Sequence, residues 1–263
     1  MPDLETSDSV CLHWDATGSG AGPRVLLLHG LGSDSAASDE LAAAVGHRLH
    51  LVRLDLRGHG RSEPLTDPAR YGWFDRAAAD VVELCDVLGW DRPVVVGGSL
   101  GAAVTVATVL AHPERVSRVG FLSPAIGAGP GLDNPVAVGF MQGVRALGLV
   151  GLLEQLVAGM PDMLDAGSLA LVRANYGRQD DAAMRACCAA LVGAVLVDDL
   201  DRLATITQPA LVVGRHGDPL HPFEMAEAYA TRLPACRLVK DLDATPFDAR
   251  PADLADLLVG FAD

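Results

Sequence analysis

The sequence predicts an α/β fold in which a mostly parallel central sheet is flanked by helices. Short runs of aliphatic and β-branched residues recur along the chain, with at least ten residues between one run and the next. The runs are apolar at every position, as a strand covered by helices on both faces requires. The predicted strands are Val25–Leu28, Leu49–Leu54, Val94–Val96, Val119–Leu122, Ala210–Val213 and Arg237–Leu242.

Two helical patterns support this fold class. Ala102–Leu110 is apolar all round, which predicts a helix packed inside the molecule. Near the end of the chain, Pro251 stands at a plausible first helical position. Apolar residues then recur at i, i+3, i+4 and i+7, as in an amphipathic closing helix: Leu254, Leu257, Leu258 and Phe261.

One stretch breaks the alternation of strands and helices. From Ala125 to about Leu203 no strand is predicted, while glycines and prolines separate apolar helical segments such as Leu147–Val157 and Met184–Val197. We therefore predict a core formed by residues 1–124 and 206–263, with a helical insertion over residues 125–205.

Composition and charge exclude several classes of protein. With 263 residues, 50% of them hydrophobic and 21% charged, the chain is predicted to be folded. A net charge of −14 argues against a nucleic-acid partner. The acidic N-terminus, and a longest apolar stretch (Leu100–Ala111) too short for a bilayer, predict a soluble cytoplasmic protein with no membrane partner. Five cysteines without a CxxC pair favour neither a disulfide framework nor a zinc site.

The strongest local motif surrounds Ser99. The strand Val94–Val96 runs into Gly97-Gly98-Ser99-Leu100-Gly101, a G-x-S-x-G pattern, and then directly into the buried helix. A serine on such a tight strand-to-helix turn is exposed above the sheet, beside a helix N-terminus that favours negative charge. A glycine-rich turn could contain a serine by chance, but the flanking strand and helix favour a nucleophile.

A second motif could supply hydrogen bonds to a developing oxyanion. His29-Gly30-Leu31-Gly32 directly follows the strand Val25–Leu28, and its glycines allow close backbone approach. The backbone N–H groups of Leu31 and Leu100 are the candidate donors of an oxyanion hole. An ordinary strand-to-helix turn is the alternative. We assign no catalytic role to the segment 55–62, whose aspartate and glycines can simply shape a loop.

These motifs, in this order, resemble the α/β-hydrolase superfamily over nearly the whole chain. The resemblance implies about eight strands, a helical cap inserted after the sixth, and a catalytic triad in the order Ser, Asp/Glu, His. The cap would be residues 125–205. The acid falls on Asp218, in the loop after the seventh strand, although Asp218 could instead be a turn residue before Pro219.

The histidine of the triad is absent from its usual place. In the family it follows the last strand, and here Ala244 stands at that position. No histidine follows His221, because the eight histidines are His13, His29, His47, His50, His59, His112, His216 and His221. Position 244 is therefore the expected site of a general base that this chain lacks.

Three explanations compete. We favour an enzyme whose histidine has been replaced by Ala244, since the other parts of the site are retained. A natural variant could use another base, for which His221 is the best candidate because it lies three residues after Asp218. His221 could also simply precede the helix start at Pro222. The third explanation is a ligand-binding protein on a hydrolase frame.

The predicted function is hydrolysis of an ester, thioester or lactone with an apolar portion. Ser99 is the nucleophile, Asp218 orients the base, and no metal or organic cofactor is required. With Ala244 in place of histidine, the chain is expected to bind its small-molecule substrate but to turn over poorly. The fold also hosts C–C cleavage, acyl transfer and cyclisation, which are the catalytic alternatives. The apolar residues of the predicted cap are Met141, Leu147, Val150, Leu152, Leu153, Leu156, Val157 and Met160.

Overall fold

The computed structural model describes residues 3–18, 20, 22–125, 134–160, 165–242 and 251–263. Within these ranges the strands are β1 (Asp3–Glu5), β2 (Cys11–Thr17), β3 (Arg24–Leu28), β4 (His50–Leu54), β5 (Val94–Gly98), β6 (Arg118–Leu122), β7 (Ala210–Gly214) and β8 (Cys236–Lys240). They form one eight-stranded sheet in the order β1-β2-β4-β3-β5-β6-β7-β8.

The sheet is mostly parallel, as predicted. Strands β3 to β8 pair in parallel with one another, and they correspond to the six predicted strands. The sequence prediction missed β1, which pairs antiparallel with β2, and β2, which pairs antiparallel with β4. Strand β2 contains polar residues such as His13 and Asp15, so it lacks the continuous apolar run that marks a doubly covered strand.

The apolar strands pack against helices on both faces of the sheet. The described helices are α1 (Asp39–Val45), α2 (Asp75–Leu88), α3 (Leu100–Ala111), α4 (Pro135–Gly159), α5 (Ala166–Gly177), α6 (Asp181–Leu191), α7 (Phe223–Arg232) and α8 (Pro251–Ala262). Alternate residues of β3 enter two different cores: Leu26 and Leu28 pack with residues of α2 and α3, and Val25 with residues of α1 and α8. This arrangement explains why the runs are apolar at every position.

The two predicted core helices are present. In α3, nine residues from Leu100 to Val109 are buried, because this helix lies between the sheet and α2. In α8, Leu254 and Leu258 are buried while Leu257 and Phe261 are partly exposed, so this helix is amphipathic.

Between β6 and β7, the described residues form helices, turns and irregular segments and include no strand. They form α4, α5, α6 and a short 3₁₀ helix at Leu200–Thr205. By length and apolar composition alone, α4 is a helix that could cross a membrane. It is longer than Leu100–Ala111, the longest apolar stretch identified from the sequence. The helix is interrupted at Gly148 (φ 75°), and its residues Met141 and Val144 pack in the core. The division into core and cap stays a prediction.

The segment 55–62 makes structural contacts. Arg57 is fully buried and forms a bidentate ion pair with Asp80, with Nε–Oδ2 and Nη2–Oδ1 distances of 2.8 and 2.7 Å. The Asp55 carboxylate accepts hydrogen bonds from the backbone N–H groups of Ser35 and Arg61. These contacts tie the loop after β4 to α2 and to the loop after β3.

Candidate active site

Ser99 lies on the sharp turn between β5 and α3. Its backbone has φ 51° and ψ −110°, a conformation that costs energy for a residue with a side chain. The two chain segments of the turn approach closely, since a Cβ built on Gly97 would lie 2.0 Å from the carbonyl oxygen of Gly101. The glycines of the G-x-S-x-G pattern therefore allow the close backbone contacts of the strained turn that carries Ser99.

Replacing Gly101 by Ala tests this packing. A Cβ at position 101 would lie 2.3 Å from the carbonyl oxygen of Leu28, so we expect Gly101→Ala to lower the free energy of unfolding by about 1–3 kcal/mol. Gly260→Ala is the matched control in α8, where a Cβ meets nothing within 4 Å, and it should stabilise the fold by up to about 1 kcal/mol. Denaturant titrations measure both variants, and equal midpoints would contradict the packing argument.

His221 links Ser99 to Asp218. The His221 Nε2 atom is 3.0 Å from Ser99 Oγ, and His221 Nδ1 is 2.9 Å from Asp218 Oδ2. Both residues of the pair are nearly buried, with side-chain exposures of 11% for His221 and 12% for Asp218. The three side chains form a continuous hydrogen-bonded series from carboxylate to imidazole to hydroxyl.

The local sequence explains how Asp218 and His221 meet. Asp218 Oδ1 accepts hydrogen bonds from the backbone N–H groups of Leu220 (2.9 Å) and His221 (3.0 Å), which turns the chain back on itself. The other carboxylate oxygen is then free to bind the His221 ring. Pro222 follows immediately and caps α7, so the ring is held between the turn and a helix start.

The pKa of Asp218 is shifted by its surroundings. Burial alone raises the pKa, but the hydrogen bonds and charge of His221 and the backbone N–H groups of His221 and Leu220 outweigh burial and lower it from 3.8 to about 2. Because an ionised carboxylate only accepts hydrogen bonds, His221 carries its proton on Nδ1. In the neutral form of the ring, the Nε2 lone pair therefore faces the Ser99 hydroxyl.

This shift predicts a pH dependence of stability. A carboxyl whose folded pKa is depressed stabilises the fold above its unfolded pKa, and this contribution is lost as the pH falls through the folded pKa of about 2. We expect the difference in unfolding free energy between the parent chain and Asp218→Asn to shrink by about 1 kcal/mol from pH 5 to pH 3. Urea titrations at the two pH values test this, and a difference that grows at low pH would contradict it.

The two candidate oxyanion donors flank Ser99. Leu100 begins α3, so its N–H has no acceptor within the helix. Across the described chain, no oxygen accepts a hydrogen bond from the N–H of Leu31 or of Leu100. The loop of Leu31 is close to the nucleophile, because a Cβ built on Gly30 would lie 3.3 Å from Ser99 Cβ. Near Ser99, two backbone N–H groups thus have no acceptor among the described residues.

His29 holds the loop that contains Leu31. Its Nε2 accepts a hydrogen bond from the Leu56 N–H at 2.9 Å, so Nδ1 carries the proton and donates to the Gly30 carbonyl oxygen at 2.8 Å. Burial lowers the pKa of His29, which favours this neutral form. The Gly30 carbonyl and the Leu31 N–H belong to one peptide unit and point in opposite directions. His29 therefore orients the Leu31 N–H.

A cavity of about 1040 Å³ opens onto Ser99 and His221. Residues of α4 and α5 form much of its apolar wall: Phe140, Met141, Leu152, Leu153, Leu156 and Leu171. Several of the apolar residues singled out in the predicted cap thus line the cavity, whereas Leu147 and Val150 are exposed at 41% and 46%. The cavity is large enough for a substrate with a sizeable apolar portion.

The structure brings together Ser99, Asp218 and His221, and Leu31 and Leu100 line the same cavity. The oxyanion roles of the Leu31 and Leu100 N–H groups stay predictions. Ala244, the expected position of the general base, lies outside the described residues. The sequence predicted the loop that begins at His29-Gly30, directly after a strand, but it gave no indication that the His29 side chain positions this loop.

Within the described ranges, no group of three or more histidine, cysteine, aspartate or glutamate side chains could hold a metal ion. All five cysteines are free.

Comparison with known proteins gives the context of this site. The family model for the alpha/beta hydrolase fold matches residues 23–248. A pimeloyl-[acyl-carrier protein] methyl ester esterase of Aromatoleum aromaticum is 28% identical over 259 residues, which cover 90% of this chain and 96% of the relative. A putative carbamate hydrolase of Caulobacter segnis is 28% identical over 87% of this chain and 86% of its own.

Solved structures and shorter alignments extend the comparison. The enol-lactonase of Burkholderia xenovorans LB400 superposes with a TM-score of 0.80 at 25% identity, covering 99% of both chains. Est816, described as an N-acyl homoserine lactone degrading enzyme, gives a TM-score of 0.76 at 27% identity, covering 99% of this chain and 100% of its own. The chain also aligns with uncharacterised proteins of Mycobacterium bovis and Mycobacterium tuberculosis, at 29% identity over 101 residues, and there it spans 29% of their length.

Proposed function

Because the chain belongs to the α/β-hydrolase family, we propose that it is a serine hydrolase that cleaves an ester, thioester or lactone with an apolar portion. The observation that carries the proposal is the unbroken series of hydrogen bonds from Asp218 through His221 to Ser99. Proteins named as a methyl ester esterase, a putative carbamate hydrolase and an enol-lactonase are among its relatives, which supports this substrate class.

The geometry supports a two-step reaction through an acyl-enzyme. Ser99 Oγ attacks the substrate carbonyl carbon while His221 Nε2 takes the hydroxyl proton. The carbonyl oxygen becomes negatively charged and accepts hydrogen bonds from the N–H groups of Leu31 and Leu100. The intermediate collapses as His221 returns the proton to the leaving oxygen or sulfur. Water, deprotonated by His221, then attacks the acyl carbon, and the bond to Ser99 Oγ breaks as His221 returns the proton to Ser99.

His221 is the general base of this proposal, in place of a histidine at position 244. Its Nε2 atom is already within hydrogen-bond distance of the nucleophile, and Nδ1 is bound to an ionised carboxylate. These are the two contacts that a triad histidine makes. The chain with Ala244 is therefore expected to be catalytically competent, contrary to the inactivated form favoured from the sequence alone.

The apolar cavity wall predicts the substrate preference. Burial of apolar area stabilises a bound acyl group by roughly 25 cal/mol per Å², so each added methylene contributes about 0.8 kcal/mol until the cavity is filled. We expect kcat/KM to rise from acetyl to hexanoyl p-nitrophenyl esters by at least about tenfold. Replacing a cavity residue, as in Leu153→Asp, should remove most of this gain, whereas the exposed Val87→Asp should not. A higher kcat/KM for acetate than for hexanoate would contradict the preference.

Active-site labelling tests the function as a whole. The parent chain is treated with a fluorophosphonate probe and screened against p-nitrophenyl esters, thioesters and acyl homoserine lactones, with Ser99→Ala as the control. We expect stoichiometric labelling at Ser99 and turnover of at least one class. Absence of both in the folded parent chain would favour a ligand-binding protein, and labelling of Ser99→Ala would show that another residue reacts.

A further inference from the structure

Two buried asparagines join the helical segment between β6 and β7 to the loops of the active site. Asn175, near the end of α5, donates from Nδ2 to the Gly32 carbonyl oxygen at 2.9 Å. Asn134, directly before α4, donates from Nδ2 to the carbonyl oxygens of Leu220 at 2.8 Å and Pro219 at 3.3 Å. The exposures of the two side chains are 2% for Asn175 and 7% for Asn134. The Asn175 bond is buried, so water does not readily replace it.

Asn175 is part of a rigid connection to the loop after β3. Its Oδ1 accepts a hydrogen bond from Arg178 Nη2 at 2.9 Å. Arg178 in turn binds the Asp34 carboxylate through Nε–Oδ2 and Nη2–Oδ1 contacts of 2.6 and 2.8 Å. The loop that contains Leu31 is thus held at Gly32 and at Asp34 by the end of α5, and on its other side by His29.

Asn134 performs two tasks with two different atoms. Its Oδ1 accepts a hydrogen bond from the Val136 N–H at 2.9 Å and so caps the N-terminus of α4. Its Nδ2 binds the two carbonyl groups that lie between Asp218 and His221. The turn that brings the imidazole onto the carboxylate is therefore held from outside by this side chain.

We propose that Asn175 and Asn134 are positioning residues through which the helical segment aligns the two halves of the catalytic site. This inference rests on the proposed function. Asn175 acts through the Leu31 N–H, and Asn134 acts through the His221 ring. Loss of either amide donor removes a hydrogen-bond partner from a carbonyl oxygen of the loop, so the loop shifts to find a new one. A displacement of about 1 Å at a reacting group lowers the rate by about 10²-fold.

Asn→Asp substitutions at the two positions separate alignment from folding. Aspartate keeps the oxygen that caps α4 or binds Arg178 but cannot donate to a carbonyl group. As a helix cap, aspartate is equivalent to asparagine, so Asn134→Asp should still fold, with a melting temperature lower by about 2–8 °C because of the lost hydrogen bonds to the loop. If an aspartate variant does not fold, Asn134→Ser retains a helix cap and Asn175→Ala avoids a buried charge, and these two variants replace it. Arg173 lies on α5, as Asn175 does, and forms an exposed ion pair with Glu154 of α4. Arg173→Ala removes this pair and is the control for a general disturbance of α5.

The expected result is a fall in kcat of about 10- to 100-fold for each asparagine variant, with KM within about threefold of the parent. Asn175→Asp should also weaken binding of an alkyl boronic acid, whose tetrahedral adduct places an oxygen against the Leu31 N–H, by at least about tenfold. The Arg173→Ala control should stay within about twofold of the parent in both measurements.

Two results would overturn the inference: unchanged kcat in the folded variants, or a loss of activity that appears only in KM. Both are distinct from failure of the proposed function, in which the parent chain itself shows neither labelling at Ser99 nor turnover.

Discussion

His221→Ala is expected to lower kcat by about 10⁴- to 10⁶-fold, the loss that follows removal of one member of a catalytic unit. Without the imidazole, the Ser99 hydroxyl keeps its proton at neutral pH and the leaving group receives none. At about 1.4 kcal/mol for each factor of ten, the loss corresponds to about 5–8 kcal/mol of transition-state stabilisation. KM should change little, because the apolar wall of the cavity and the oxyanion donors are untouched. Steady-state kinetics on the hexanoyl ester provides the measurement.

Two companion variants make this result specific. Adding Ser99→Ala to His221→Ala should cause little further loss, since the two residues act as one unit. Ala244→His in the parent chain should change kcat less than about tenfold, because His221 already makes the contacts of the base. If Ala244→His raises kcat by several orders of magnitude while His221→Ala has no effect, the base belongs at position 244 and the proposal for His221 is wrong.

Asp218→Asn is expected to lower kcat by about 10³- to 10⁴-fold. The side-chain oxygen that remains at this position can still accept hydrogen bonds from the backbone N–H groups of Leu220 and His221, so the turn is retained. The new NH₂ group then faces His221 Nδ1 and donates to it, which moves the imidazole proton to Nε2. An Nε2–H cannot accept the Ser99 proton. The substitution therefore leaves the geometry intact and reverses the tautomer.

A second aspartate–histidine pair in the molecule provides the matched control. Asp241 Oδ1 lies 2.8 Å from His216 Nδ1, at the end of β8 beside the loop of Asp218, and both side chains are exposed. Asp241→Asn should keep kcat within about threefold of the parent, since exposed pairs contribute little. Equal losses in Asp218→Asn and Asp241→Asn would indicate a general electrostatic effect rather than loss of the orienting carboxylate.

The proposed base lies on a different loop from the one that the family resemblance implies. Acid and base are separated by three residues in the loop after β7, and the turn around Asp218 is sufficient to bring them into contact. The local turn thereby replaces a contact between two loops. The orientation of the His221 ring then depends on what packs against the turn, which is why Asn134 matters in this arrangement.

The sequence by itself determined the central part of the fold and the nucleophile. Six parallel strands and α3 were predictable, because burial on both faces of the sheet imposes an uninterrupted apolar run that needs no partner to be recognised. The pattern around Ser99 was predictable for a similar reason, since a strained turn with close backbone contacts restricts its own residues. Strands β1 and β2 were not predictable, because they mix polar and apolar residues and so lack the continuous apolar run of a strand buried on both faces.

Only the tertiary structure decided which histidine faces Ser99. Ser99 and His221 are 122 residues apart, and they meet because β5 and β7 are separated in the sheet by β6 alone, with their carboxyl ends at one edge. No local pattern records that distance, so a histidine before a proline was indistinguishable from a helix start. The same holds for Asn134 and Asn175, whose partners lie in loops remote in sequence. A hydrogen bond between distant segments depends on how whole elements pack, and packing leaves no periodic signal in a single chain.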